Sequence, residues 1–361
     1  MTGETPFWTI HRALQIYLLH RLDEDLVLRQ RVFESTLSLV RNNFPRQSET
    51  QAPSNNNWVA NETALRHTLQ LQRVYQTSKV PIDPPPAFAE LLGDVGNYLW
   101  ERALYDQGIE TLDLAERIYE SHPSWNPMQH SYAATILGVL SQEVGISGRK
   151  RGLDLCFKSL ELRKQYVTSL QDAGKEPTES DWLLLGNSWN DMACTMLEFS
   201  SFSQAEMFLD LSMKIKRKAR LTESKASFHY AENLKNLAIV RISQGRFKEA
   251  VDLSTQALCL MERKERGSGP KSASTQSFRF HRGYCLFYAG NYDAAYNEHD
   301  MVRKSRENIY GRNEVHTLNS YYACALMSVH LGQLTRARYV LNPPPIVNRV
   351  RPADGHTTAL Q

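Results

Sequence analysis

Apolar residues recur at spacings of three and four along most of this chain, the period of one face of a helix. A longer regularity lies over that one in the second half. Ala193 and Ala205, Ala238 and Ala250, Gly283 and Ala295, and Ala325 and Ala337 each stand 12 positions apart. A large apolar residue, Phe202, Phe247, Tyr292 or Leu334, sits three before the second member, and in three of the four pairs Gly245, Gly290 or Gly332 comes two residues earlier still. Two antiparallel helices that cross closely accept only a small residue at each contact point, and glycine serves the tight turn because it adopts positive φ without a steric penalty. The second small residues fall at 205, 250, 295 and 337, steps of 45, 45 and 42, so one helical hairpin repeats down the chain. The expected fold is all-α, a right-handed helical-repeat solenoid with a helical segment in front of it.

The same pattern extends forward. Gly96 and Gly108 lie 12 apart with Tyr105 three before the second, and Gly138 and Gly152 lie 14 apart, which predicts a longer turn over EVGISGRK. Six hairpins are expected, near 87–121, 128–172, 178–222, 226–265, 271–309 and 314–341. In front of them, Phe7 to Ile10 is expected as a short strand and His11 to Asn43 as helices. RQSETQAPSNNN (46–57) is expected as a loop, and a helix then begins at Trp58. The run Pro81 to Pro86 cannot continue a helix before its last proline. The domain reading is therefore 1–44 helical, 45–86 a linker with one helix, 87–341 the array, and 342–361 a disordered tail carrying three consecutive prolines.

Composition narrows the function classes. At 42% hydrophobic, 22% charged and net charge +3, the 361 residues can bury a large core, and nothing calls for nucleic acid or an anionic membrane. Cys156, Cys194, Cys259, Cys285 and Cys324 are an odd number without a CxxC pair, which predicts buried thiols in a reducing compartment. No apolar run reaches the length of a membrane span, so a soluble cytoplasmic chain is expected.

The longer repeats resemble the tetratricopeptide units of kinesin light chain. Gly311, His316, Thr317, Leu318, Ala325, Gly332 and Ala337 follow that signature, with Leu334 replacing its aromatic residue. At the front, FWTIHRALQ (Phe7 to Gln15) resembles the end of the winged-helix segment that follows the nucleotide-binding module of fungal NLR-like proteins, and Trp58 and His67 recur in a similar place before their repeats. No such module precedes residue 7, so ATP binding is not carried over, and a stand-alone or truncated sensor part is expected.

No catalytic constellation emerges. In Gly267-Ser268-Gly269-Pro270-Lys271-Ser272 a proline without an N–H interrupts the step a phosphate loop needs, which leaves an inter-repeat turn. Glu298-His299-Asp300 has metal-capable side chains, but neighbours on a helix point apart, so a solvated face is expected. The basic run Met213 to Arg220 reads as the exposed end of a second helix.

In tetratricopeptide hairpins the first helix lines the inner groove. The positions three and six before the first small residue, and one and four or five after it, face that groove. Carried over by that resemblance, they are Asn97 and Trp100; Tyr132 and Thr135; Asn187 and Asn190; Glu232 and Lys235; Ser277, Phe280, Tyr284 and Tyr288; and Asn319, Tyr322 and His330. Asparagine amides both donate and accept, and tyrosine offers an apolar ring with a polar tip, which suits a peptide of mixed character. The expectation is a non-enzymatic module holding a peptide or helix of another protein, with no cofactor or metal. The alternative is a helical-repeat enzyme or small-molecule binder with an aromatic pocket around Phe280, Tyr284, Phe287 and Tyr288.

Overall fold

A computed structural model describes residues 11–48, 50–53, 55–122, 124–219, 223–264 and 272–341. The sequence expectations over 7–10, over the glycine-rich run from Gly267 to Lys271 and over the tail 342–361 lie outside these residues. Two compact units divide the chain at Phe278 and Arg279, inside a helix.

Among the described residues all regular structure is helical. Three helices lead: α1 (Arg12–Asp23), α2 (Leu26–Asn43) and α3 (Trp58–Thr77). Six pairs follow: α4 (Pro86–Glu101) with α5 (Tyr105–Ser121), α6 (Pro127–Glu143) with α7 (Ile146–Asp172), α8 (Glu179–Glu198) with α9 (Phe202–Lys216), α10 (Glu223–Ser243) with α11 (Phe247–Lys264), α12 (Ala273–Tyr288) with α13 (Tyr292–Tyr310), and α14 (Val315–His330) with α15 (Leu334–Leu341). This is a helical-repeat solenoid of tetratricopeptide-like type, the fold class that the 12-residue spacing predicts. The small residues are buried as that spacing requires: Ala193, Ala205, Ala250 and Ala295 are inaccessible, and Ala238, Ala325 and Ala337 nearly so.

Five of the six turns are built alike. The residue two before the second helix sits at positive φ: Ala103, Ser200, Gly245, Gly290 and Gly332. Its N–H bonds the carbonyl three residues back, and the next N–H reaches five back, as in Gly245 to Ile242 and Arg246 to Arg241. This double bond pattern satisfies the last carbonyls of the first helix and reverses the chain in two or three residues. The second hairpin departs from the sequence expectation. No long turn occurs there: α7 already begins at Ile146, and only Val144 and Gly145 are non-helical between α6 and α7. The two extra residues lengthen α7 instead, and Gly148 permits the approach, because a Cβ there would stand 1.8 Å from the Ser141 carbonyl oxygen.

A second repeated feature joins one hairpin to the next. The residue 11 after the second small residue is buried in each of five hairpins: Tyr119, Arg163, Lys216, Met261 and Arg306. Where it is a cation, it donates to the next hairpin's first helix at two fixed positions. Arg163 bonds the Leu184 carbonyl (2.8 Å) and the Ser188 hydroxyl (2.9 Å). Lys216 bonds the His229 carbonyl (3.1 Å) and the Asn233 side chain, and Arg306 bonds the His316 carbonyl and the Ser320 hydroxyl, both at 3.0 Å. Where it is Tyr119 or Met261, the position taken elsewhere by Ser188, Asn233 or Ser320 is Ala133 or Phe278, and each pair shares an apolar cluster. A buried cation thus pairs with a polar acceptor and an apolar side chain with an apolar one, which keeps buried polar groups satisfied.

Lys216 belongs to the basic run that the sequence reading assigned to an exposed helix end. The structure corrects this: Lys214, Arg217 and Lys218 are exposed, but Lys216 is wholly buried. The cysteine expectation is corrected in the same way. Cys156, Cys285 and Cys324 are buried, Cys194 is half-buried, and Cys259 is exposed.

Candidate functional site

The first helices carry the predicted groove positions, and their side chains divide into two kinds. In the unit ending at Phe278, most are already engaged. Asn97 donates to Glu101 (2.9 Å), which also accepts from the Trp58 indole (2.6 Å), and Trp100 is half-buried against the core. Tyr132 is 3% exposed, its ring in contact range of Gly93, and burial pushes its phenol well above the ordinary value. Thr135 is buried against Ser159 (2.6 Å). Asn187 meets His229 (3.1 Å), and Asn190 accepts from Asn236 (3.1 Å), so both asparagines tie α8 to α10. Lys235 pairs with Glu232 (2.6 Å) and lies over the Phe278 ring (5.4 Å), with Ser277 half-buried beside it in sequence. Tyr132, Thr135 and Asn190 therefore serve packing between helices, because a groove reading from spacing alone cannot tell a groove-facing position from one closed by the next helix.

The unit beginning at Arg279 brings its predicted residues together on α12 and α14. Phe280, Tyr284 and Tyr288 are spaced four apart on one face of α12. Phe280 and Tyr284 meet edge to face at 5.2 Å, while Tyr288 is 50% and Tyr322 61% exposed. Burial raises the Tyr284 phenol pKa, and Tyr322 and Tyr288 lie close enough to raise it further. At the far end His330 stacks on Tyr292 (5.3 Å) and meets the edge of Phe287 (4.7 Å). Asn319 is exposed on α14.

Beneath this aromatic face lies a residue that the sequence reading placed on a solvated surface. His299 is inaccessible to solvent, and among the described residues neither ring nitrogen has a hydrogen-bond partner. Its ring packs steeply tilted against those of Phe280 (5.0 Å between centroids) and Tyr284 (4.8 Å). Burial pushes its pKa down to about 4, with the Arg306 charge adding to the effect, so the imidazole is neutral. Gly283 makes the space, since a Cβ there would stand 2.6 Å from His299 Nε2. The one glycine among the first small residues of the last four hairpins was the signal, read only as a crossing point. Its neighbours turn elsewhere: Glu298 pairs with Arg279 (3.2 Å) and Arg282 (2.6 Å), and Asp300 with Arg303 and Lys304 (both 2.7 Å). Those three side chains do not converge on a metal.

Among the described residues the face offers aromatic rings and hydroxyl tips. The buried Cys324 thiol is pushed up to about 12 by burial and stays protonated. An open depression of about 640 Å³ lies on the second helices between α5 and α7. Its carboxylates are largely neutralised in place, Glu116 and Glu120 by Lys158 and Asp113 by Arg151.

No protein-family model matches the sequence, and no curated protein is similar to it at sequence level. The fold is that of a tetratricopeptide-like helical-repeat protein. Among solved structures, the chain is similar to the apo form of RapI, with 14% identity over 79% of this chain and 89% of that one and a TM-score of 0.52, which is a likeness of fold. NprR in complex with its cognate peptide NprX matches at 14% identity over 80% of this chain and 75% of that one (TM-score 0.47). A putative kinesin light chain of Podosopora anserina with nearly identical TPR-like repeats matches at 17% identity over 57% and 89% (TM-score 0.40). Among the described residues no helix is long and apolar enough to cross a membrane.

Proposed function

We propose that the chain is a non-enzymatic interaction module that holds a peptide segment of a partner protein on the aromatic face of α12 and α14. The observation that carries this reading is the convergence of Phe280, Tyr284, Tyr288 and Tyr322 in one unit, with two of the tyrosines at least half exposed. Exposed tyrosines bury a large apolar area at low entropic cost and hydrogen-bond a peptide backbone with their tips. An open face of this kind fits an extended chain better than the small-molecule pocket of the alternative reading, which needs enclosure. In a protein of the NLR-like kind that the front segment resembles, such a module is the sensing part.

The test is selection of binders from a random peptide display library on the full-length chain, followed by affinity measurement with a Tyr284→Ala, Tyr322→Ala variant. Enriched peptides should bind the variant at least about tenfold more weakly, the loss of two partly buried aromatic contacts. Equal affinity for the variant, or no enrichment, contradicts the assignment.

A further inference from the structure

The polar segment joining α2 to α3 lies on the first helices of the array instead of standing free in solvent. Arg46 pairs with Glu90 (3.7 Å), and Gln47 stands beside the Tyr132 hydroxyl. Glu90 and Tyr132 each sit six before the first small residue of their hairpins, Gly96 and Gly138, a position that faces the inner groove. The Gln47 N–H donates to Asp94 Oδ1 (3.3 Å), and its side chain lines one small polar space with Asn97 and Glu101. Farther along, the Gln51 side chain accepts from Arg163 Nη2 (2.9 Å), the guanidinium that joins the second hairpin to the third, and Ala52 is buried. Residues 46–48 and 50–53 thus follow the inner side of the first two hairpins to the joint with the third, the path an extended bound peptide takes in a groove.

Strong contacts hold the two ends of this segment and weaker ones hold its middle. Upstream, Arg41 pairs with Asp94 at 2.7 Å, and Phe44 is buried edge to face against Tyr98 (6.5 Å). Downstream, the Trp58 indole donates to Glu101 (2.6 Å). Between these anchors the two glutamines carry the attachment, and Ala52 is the one buried side chain among the described residues 46–53. Gln51 also sits at φ 56°, a left-handed conformation that a residue with a Cβ adopts at a cost, which opposes the seated form. Arg163 keeps its bonds to Ser131 (2.9 Å), Leu184 and Ser188 when Gln51 leaves, so the joint between hairpins does not depend on the segment. A strap fixed at both ends and lightly held between them lifts without unfolding the helices beneath it.

We propose that the segment bearing Gln47 and Gln51 is a built-in occupant of a peptide groove on the inner side of α4, α6 and the start of α8, and that an extended segment of a partner protein takes its place. This inference is independent of the reading given to the aromatic face of α12 and α14. The groove sets the chemistry of the newcomer. Asp94 already has Arg41 as its counter-charge, and Arg163 bonds neutral carbonyl and hydroxyl oxygens, so a net-neutral segment with two side-chain amides four residues apart matches it. The tether gives the built-in copy a high effective concentration, and a free segment of the same sequence therefore competes poorly with it. A partner displaces the strap by adding contacts that the strap itself lacks.

The probe is a synthetic peptide of residues 46–53, RQSETQAP, carrying Ala52→p-benzoylphenylalanine. It is irradiated with the full-length wild-type chain and with a full-length chain whose residues 46–53 are replaced by a Gly/Ser linker of equal length. The linker chain should be labelled within 86–198, and the wild type at least about tenfold less, because its own copy holds the groove. Equal labelling of the two chains, labelling confined to other regions, or none at all would overturn the proposal. Gln51→Ala removes the bond to Arg163 without altering the loop's length, and reads the same competition should the linker chain fail to fold. That variant should take up at least about threefold more probe than the wild type, the effect of one lost hydrogen bond to a charged group, and unchanged uptake would equally overturn the strap.

Discussion

Lys216 shows how one side chain carries a repeat interface. Its ammonium group is wholly buried and bonds the His229 carbonyl and the Asn233 side chain across to the next hairpin. Burial pushes its pKa down to about 7, with Asp191 and Glu232 partly opposing the shift. An unfolded lysine keeps its proton to about 10.4. Between about pH 7 and that value the unfolded chain therefore holds a proton that the folded chain has released, and stability gains from Lys216 as pH rises. The penalty for burying its charge is fully present below about pH 7. Denaturant unfolding of wild type and Lys216→Met at pH 7 and pH 9 should show the wild type gaining relative to the variant at the higher pH, and parallel pH dependence would refute the linkage. At pH 7 Lys216→Met should cost about 1–3 kcal/mol, because the Asn233 carbonyl loses its main donor. Adding Asn233→Leu should recover much of that loss, since Met261 and Phe278 make the same joint from apolar groups.

At the scale of the element, the turn geometry was legible only where it was spelled in glycine. Gly245, Gly290 and Gly332 marked three turns, but Ala103 and Ser200 hold the same positive φ, 56° in both, and nothing in their side chains announces it. The hydrogen-bond pattern of the helix end imposes the conformation, and the residue type only sets its cost. Ser200→Gly and Ala103→Gly should each raise stability by about 0.5–1 kcal/mol, the relief of left-handed strain less the extra entropy of glycine when unfolded. Gly245→Ala should lower it by about 1 kcal/mol. Thermal melts read both, and a lower midpoint for Ser200→Gly would contradict the turn assignment. The 12-residue spacing of small residues was legible because close helix crossings leave no alternative to alanine or glycine. The second hairpin misled for the complementary reason: the 14-residue spacing of Gly138 and Gly152 suggested a longer turn, although Gly148 allows a helix to pass near the Ser141 carbonyl.

For the whole molecule, repetition made the fold readable and the site only partly so. A position within a repeat fixes which face of its helix a residue lies on, but not whether the neighbouring hairpin closes over it. Asn319 and Tyr322 remain open, whereas Tyr132 and Asn190 at matching positions are covered. His299 was hidden for a related reason, since its burial depends on a glycine in another helix. The account stands on the aromatic face of α12 and α14 receiving a peptide. Hydrogen exchange of the full-length chain with and without a selected peptide tests this most directly. It predicts slowed exchange confined to α12 and α14, and protection centred instead on the depression between α5 and α7, or none at saturating peptide, would contradict it.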